Sequence, residues 1–177
     1  MSVTDRNVDL ISQNIDCAIR SSGDDPNSIF HQIGSFAWTL CGSPAFFKKH
    51  PIPRHPDDIG ARNIPIAGYF SATTGLMLPI HFRPGTEKIT LAQPRHDIAV
   101  SESNAHLASV LNGLGMINAL DFMVRPAIEA GALVAVLEDW RTDPMPVFVA
   151  YPPSRRYNTK VRVFVDWVSA LFADHIR

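Results

Sequence analysis

Hydroxyl, aromatic, amide and charged side chains follow three apolar segments of this 177-residue chain. The segments are Ile15–Ile19, Ile64–Gly68 and Ile98–Val100, and each has the composition of a short buried strand. Ligands of open α/β sheets bind beyond the carboxyl ends of the strands, so we predict a ligand site at these ends. The candidate residues are Arg20, Ser21, Tyr69, Phe70, Ser71, Ser101, Glu102 and Asn104.

The chemistry of these side chains suits a small, partly apolar organic acid. The stretch 101–104 begins a predicted helix, whose first amides favour a carboxylate or another anion. Each candidate also has a simpler interpretation. Arg20 can form a structural salt bridge, and Ser103 can be only a helix cap. Tyr69 or Phe70 can belong to the core.

The sequence contains no motif that indicates a catalytic residue, a metal or a cofactor. Gly113-Leu114-Gly115 closes a predicted helix, whereas a dinucleotide loop must open one. His50 and His55 share a loop that offers no third metal ligand, and His106 is predicted to face solvent rather than a pocket. GxSxG, HExxH and CxxC motifs are absent. We therefore expect no enzyme activity, no metal and no cofactor.

Composition indicates a globular, cytoplasmic domain. Hydrophobic residues make up 46% of the chain and charged residues 19%, and the net charge of −1 argues against direct nucleic-acid binding. No apolar run has the length of a membrane span, and the polar N-terminus lacks a signal-peptide core. Cys17 and Cys41 lie in apolar segments and are predicted to be buried free thiols. Trp140 could cover the ligand site, but a packing role is favoured.

Helices and apolar strands alternate in the second half of the chain. "SNAHLASVLNGLG" predicts a helix capped by Ser101 or Ser103 and ended by Gly113, and the run 116–120 follows as a strand. "DFMVRPAIEAG" predicts a second helix capped by Asp121, which Pro126 limits to its later turns. "ALVAVL" is the next strand. This alternation predicts a parallel sheet covered on both faces.

Further elements flank this region. We predict strands at Gln32–Cys41, Asn63–Phe70 and Val147–Tyr151, and a hairpin that joins Leu78–Phe82 to Glu87–Leu91. Ser43 caps a helix that has proline at its first position. The last helix carries an apolar stripe formed by Val161, Phe164, Val165, Val168, Leu171 and Phe172.

Several of these segments together resemble the sensor domain of LysR-type transcriptional regulators. The resemblance begins with "DRNVDL", "DCAIR", "SPAFF" and "PRHPDDI". It continues with "SNAHLASVLNGLG", "GALVAVLEDW" and "PPSRRY". Nearly the whole chain is covered, and the motifs are specific in combination.

The resemblance implies the two-lobed α/β fold of periplasmic binding proteins (type 2), with a small-molecule effector between the lobes. It assigns 1–36 and 150–177 to an incomplete first lobe, and 37–149 to the second. Arg20 could then form a salt bridge between the lobes. A homo-oligomer is implied, and nucleic acid would be bound only by a helix-turn-helix domain that these residues do not include. The alternatives are a stand-alone solute-binding protein or a small α/β enzyme.

Overall fold

The computed structural model describes residues 8–21, 23, 25–72, 74–83, 89–91, 94–140 and 143–175. These residues form two compact units. Unit 1 combines the residues up to Phe36 with those from Pro144 onward, and unit 2 is Ala37–Asp143. The chain therefore passes from unit 1 to unit 2 after Phe36, and returns between Asp143 and Pro144.

Unit 1 is built on an antiparallel three-stranded sheet in the order β1 (Ala18–Arg20), β10 (Met145–Tyr151), β2 (Ile29–Phe36). Strand β1 includes Arg20, so the first predicted strand is displaced along the chain. In the described part of the chain, β10 is its one strand partner. A β-bulge at Ile33 shifts the register, because Phe148 pairs with Gln32 and Val147 with Gly34.

The C-terminal helix α5 (Thr159–His175) packs on this sheet. Val161 and Val168 are buried, as the predicted stripe requires. Phe172 lies over Gly34, where an added Cβ would stand 2.9 Å from its ring. Leu171, also a member of the predicted apolar stripe, is 42% exposed.

The central sheet of unit 2 has β3 (Trp38–Gly42) between β8 (Ile117–Leu120) and β9 (Val134–Val136). Strand β3 runs antiparallel to both neighbours, which corrects the prediction of a wholly parallel sheet. The predicted strand Gln32–Cys41 is in fact the end of β2 and all of β3 except Gly42, interrupted at Ala37. Because β3 enters unit 2 directly from β2, no helical crossover sets its direction.

Parallel pairing does occur in unit 2, between two strands outside its central sheet. Strand β4 (Gly68–Tyr69) runs parallel to β7 (Ala99–Val100), and a parallel bridge joins Ile66 to Met116 just before β8. Gly115 lies against this bridge, where an added Cβ would stand 2.5 Å from the backbone nitrogen of Ala67. Only glycine allows the two backbones to approach this closely.

The helices of unit 2 are α1 (Pro44–Phe47), α2 (Asp57–Ala61), α3 (Ser103–Leu111) and α4 (Asp121–Glu129). The amide of Phe46 donates to the Ser43 hydroxyl at 3.3 Å, which confirms the predicted cap of α1. Gly113 and Gly131 follow α3 and α4 with φ of 71° and 72°, so both predicted helix ends are confirmed.

Two predictions for α4 are wrong. Asp121 is the first helical residue rather than the cap, and Pro126 lies inside the helix instead of shortening it. Asp121 anchors the first turn, since its amide donates to the Ala37 carbonyl at 2.8 Å and its carboxylate accepts from Thr39 and Arg125, both at 2.6 Å. These bonds anchor the first turn of α4, whereas Pro126 removes one backbone donor in the second turn.

The predicted hairpin is present as strands β5 (Ile80–Phe82) and β6 (Ile89–Leu91), which pair antiparallel. Glu87, predicted to open the second strand, lies outside the described residues. Two 3₁₀ turns, Glu138–Trp140 and Pro153–Arg155, complete the description. The buried core of unit 2 lies on both sides of its sheet, with Leu40, Phe46 and Met116 in one cluster and Cys41, Val110 and Ile117 in the other.

Replacement of Gly115 by alanine tests the close approach of the two backbones. We expect Gly115→Ala to lower the free energy of unfolding by at least about 2 kcal/mol, because backbone atoms cannot move aside as a side chain can. Gly60 is the matched control, since it lies in α2 with no atom within 4 Å of an added Cβ. Gly60→Ala should stabilise by about 0.5–1 kcal/mol. Urea unfolding measures both, and equal effects would contradict the packing role of Gly115.

Candidate functional site

The parallel register of β4 and β7 brings two of the three predicted strand ends together. Gly68 pairs with Ala99 and Tyr69 with Val100, and the amide of Phe70 donates to the Val100 carbonyl at 2.9 Å. The segments that follow the two strands therefore leave the sheet at the same edge. Six of the eight candidate residues lie here, namely Tyr69, Phe70, Ser71, Ser101, Glu102 and Asn104.

Tyr69 links the two segments through its side chain. Its half-buried phenol donates to the Ser101 carbonyl at 3.2 Å, so it is not merely a core residue. Its ring lies 5.2 Å from the imidazole of His106. Both contacts fix the phenol at the edge where the strands end.

His106 links helix α3 to the backbone just before β4. The side chain is 5% exposed, and its Nε2 donates to the Ala67 carbonyl at 2.8 Å. Burial lowers the pKa of His106, although the bond to Ala67 partly opposes the change. The prediction that His106 faces solvent is wrong. The buried side of α3 carries His106 together with Ser109 and Val110, whereas Leu111 lies on the other side and is 43% exposed.

Glu102 caps α3, a role that the sequence suggested for Ser101 or Ser103. One carboxylate oxygen accepts from the backbone and side-chain nitrogens of Asn104 at 2.9 and 2.8 Å. The other accepts from the amide of Ala105 at 2.8 Å. These bonds lower the pKa of Glu102 and keep it charged. The first amides of α3, predicted to receive an external anion, are thus occupied by a carboxylate of the chain itself.

Ser71 opens a tight turn beside the cap. Its hydroxyl accepts from the amide of Thr74 at 3.2 Å, and the amide of Gly75 donates to its carbonyl at 2.7 Å. Gly75 has φ of 69°, which glycine adopts without strain. The chain then returns so that Met77 bridges to Phe70. The turn holds the Ser71 hydroxyl close to the end of β4.

Arg20 and Ser21 belong to unit 1 and have a different environment. The Arg20 side chain is only 10% exposed; it pairs with Asp25 at 3.6 Å and donates to the Val8 carbonyl. Asp25 belongs to the same unit, so this contact is not the salt bridge between lobes that was considered for Arg20. Ser28 and Asn27 donate to Asp25 and lower its pKa, which keeps the partner of Arg20 charged. Ser21 is exposed.

The remaining reactive side chains have structural environments. Trp140 packs against the core of unit 2 with its ring 4.4 Å from that of His55, and His50 stacks on Phe46 at 4.4 Å. Cys41 is a buried free thiol, as predicted, and burial raises its pKa to about 12. Cys17 is a free thiol but only half-buried.

Over the part of the chain that the structure describes, no group of three or more His, Cys, Asp or Glu residues is placed to hold a metal ion. Within the same part, no helix combines the length and the apolar character that crossing a membrane requires.

An α/β domain whose parallel strands end in hydroxyl, aromatic and amide groups has the form of a small-molecule-binding domain. The family model described as the LysR substrate binding domain matches residues 1–173. The chain therefore belongs to the family of LysR substrate-binding domains, which function in transcriptional regulators. The resemblance stated from the motifs is confirmed.

The relatives agree with this assignment. The HTH-type transcriptional regulator YhjC of Escherichia coli is 26% identical over 99% of this chain, which spans 58% of that protein. The regulatory domain of AphB from Vibrio vulnificus has a TM-score of 0.71 and 25% identity over 90% of this chain and 76% of its own. A full-length AphB variant has a TM-score of 0.78 and 25% identity, and this chain covers 57% of it. The predicted periplasmic-binding-protein-like α/β fold class is confirmed, and the chain spans little more than half of the full-length regulators it matches.

The environment of His106 predicts a specific pH dependence. Its pKa in the folded chain lies below the ordinary value of 6.5, so the unfolded chain binds a proton more readily as the pH falls. Stability should decline from about pH 7 to about pH 5, and His106→Gln should flatten this decline. His31, an exposed residue of β2, is the matched control, and His31→Gln should leave the decline unchanged. Urea unfolding across this range is the measurement, and a decline that persists in His106→Gln would contradict the assignment.

Proposed function

We propose that this chain is the effector-sensing module of a LysR-type regulator and that it binds a small organic acid. The observation that carries the proposal is the register of β4 and β7, which gathers Tyr69, Ser71 and Ser101 at one sheet edge. This is the edge where open α/β sheets bind ligands. Membership of the family supplies the class of function.

Hydroxyl groups at this edge can donate to a carboxylate. Ser101 can donate through its side chain, while the aromatic ring of Phe70 offers an apolar surface beside it. The Glu102 carboxylate already caps the start of α3, and its charge repels a second anion nearby. An anionic effector therefore binds against this repulsion or displaces Glu102 from the cap. Arg20 and Ser21 are proposed as contacts contributed by unit 1.

In the whole regulator, we propose that the effector acts by population shift. The effector binds one arrangement of the two lobes better than another, and that difference biases the dimer in which a separate helix-turn-helix domain contacts the operator. The net charge of −1 supports the proposal that this chain senses the effector but does not itself bind DNA. The regulator acts in the cytoplasm, where its operator lies.

A panel of small carboxylic acids and their primary amides tests the proposal. We expect at least one acid to stabilise the chain saturably in thermal unfolding and to bind in calorimetry, while its amide does not. Ser101→Ala should weaken that binding about tenfold or more, because a hydrogen bond to a charged group is lost. Glu102→Gln should strengthen it by removing the repulsion.

Ser154→Ala is the matched control, since Ser154 is an exposed serine in a 3₁₀ turn of unit 1. Its binding should equal that of the unmodified chain. Binding that Ser101→Ala leaves unchanged would argue against the site, and a panel in which no acid binds would argue against the ligand class.

A further inference from the structure

His106 is a buried ionisable side chain next to the residues proposed to bind the effector. Its ring lies 5.2 Å from the ring of Tyr69, whose phenol donates to the Ser101 carbonyl at 3.2 Å. Nε2 of His106 donates to the Ala67 carbonyl at 2.8 Å, so a proton that the ring takes up goes to Nδ1. Protonation therefore leaves the bond to Ala67 intact and changes only the charge of the ring.

The free chain favours the neutral form of this ring. The side chain is 5% exposed, and burial lowers the pKa of His106 because it disfavours the charged form. His106 is also the fourth residue of α3, where the positive end of the helix dipole opposes a further positive charge. Without a ligand, His106 therefore contributes no positive charge to the site above about pH 7.

The ionisable groups that surround His106 are few. Helix α3 packs on β3, β7 and β8, of which β7 and β8 carry no ionisable side chain. Strand β3 carries Cys41, whose raised pKa of about 12 keeps the thiol neutral. Tyr69 faces the ring from β4.

Glu102 supplies the fixed negative charge on the same helix. It lies one turn before His106, whose amide donates to the Glu102 carbonyl at 3.0 Å. The hydrogen bonds of the cap lower the pKa of Glu102, so its charge does not change between about pH 6 and pH 8. The ionisation state of His106 therefore decides how much of this negative charge is offset.

We infer that binding of a carboxylate at this edge is coupled to the uptake of a proton by Nδ1 of His106. The inference rests on the proposed function and adds a regulation of the same site by pH. A bound carboxylate attracts the imidazolium and favours it over the neutral ring. By linkage, the proton favours the bound carboxylate by the same factor. The imidazolium also offsets the charge of Glu102, which otherwise repels the ligand.

This coupling fixes the sign of the pH dependence. The pKa of His106 is higher in the complex than in the free chain, so affinity rises as the pH falls through the value in the complex. Between about pH 8 and pH 6, where carboxylic acids remain ionised, we expect the affinity to rise about three- to tenfold. The stability of the free chain changes in the opposite direction, because burial opposes the proton when no ligand is present.

Calorimetry of the 177-residue chain with acetate, butyrate, benzoate and phenylacetate is the test. For each acid that binds, titrations at about pH 6 in two buffers of different ionisation enthalpy should reveal uptake of about half a proton. His106→Gln retains an N–H group for Ala67 and should remove both the uptake and the pH dependence. His96→Gln is the matched control, since His96 is exposed and precedes β7 at the end away from the site, and it should retain both.

An NMR titration of the His106 ring requires no variant. Its pKa should be higher with saturating acid than without it. Equal affinities at both ends of the pH range, or binding without proton uptake, would overturn this inference and leave the proposed function intact. A folded His106→Gln variant that keeps the pH dependence would do the same. If no acid of the panel binds at either pH, this inference and the proposed ligand class are both wrong.

Discussion

The hydrogen bond from His106 to the Ala67 carbonyl sets the geometry of the candidate site. It joins helix α3 to the residue just before β4. The close approach of Gly115 to Ala67 fixes the same backbone from the side of β8. With Ala67 held at two points, β4 and β7 end together, and the phenol of Tyr69 reaches the Ser101 carbonyl. The candidate site thus depends on how the His106 side chain and the Gly115 contact together place the backbone of Ala67.

Glu102 determines the electrostatics of the site. A free helix start presents unpaired amides and a positive dipole end, which together attract anions. Here two of those amides already donate to Glu102, and its charge offsets the dipole. An incoming carboxylate gains less at this helix than the residue pattern suggests. In the proposed function, discrimination among ligands therefore depends more on neutral hydroxyls such as that of Ser101 and on the aromatic surface beside them.

The sequence predicted those features of the fold that depend on local backbone chemistry. The cap at Ser43 and the helix ends at Gly113 and Gly131 each follow from one residue type in one conformation. It failed where contacts between residues distant in the sequence matter. Pro126 lies inside α4, whose first turn Thr39 and Ala37 anchor through Asp121, and β3 is antiparallel because of its connection to β2.

The site residues show the same difference between features set by local sequence and features set by distant contacts. The strand ends at Tyr69 and Val100 could be predicted from apolar runs, but their shared edge required the register. His106 was misplaced because a hydrophobic pattern cannot recognise a buried face that carries histidine and serine satisfied by hydrogen bonds. The serine on either side of Glu102 made a serine cap plausible, but the longer side chain reaches two amides where a hydroxyl reaches one.

The environment of Arg20 limits its ability to bind an anionic ligand. A guanidinium suits an organic acid in principle, since its planar donors match a carboxylate. In this chain Asp25 and the Val8 carbonyl already engage it, and burial disfavours leaving Asp25 without its cation. Arg20 therefore orders the end of β1, and a ligand that recruited it would have to compete with Asp25. The hydrogen-bonding side chains at the candidate site are mainly neutral hydroxyls, which favours recognition by hydrogen bonds and apolar contact over a direct ion pair.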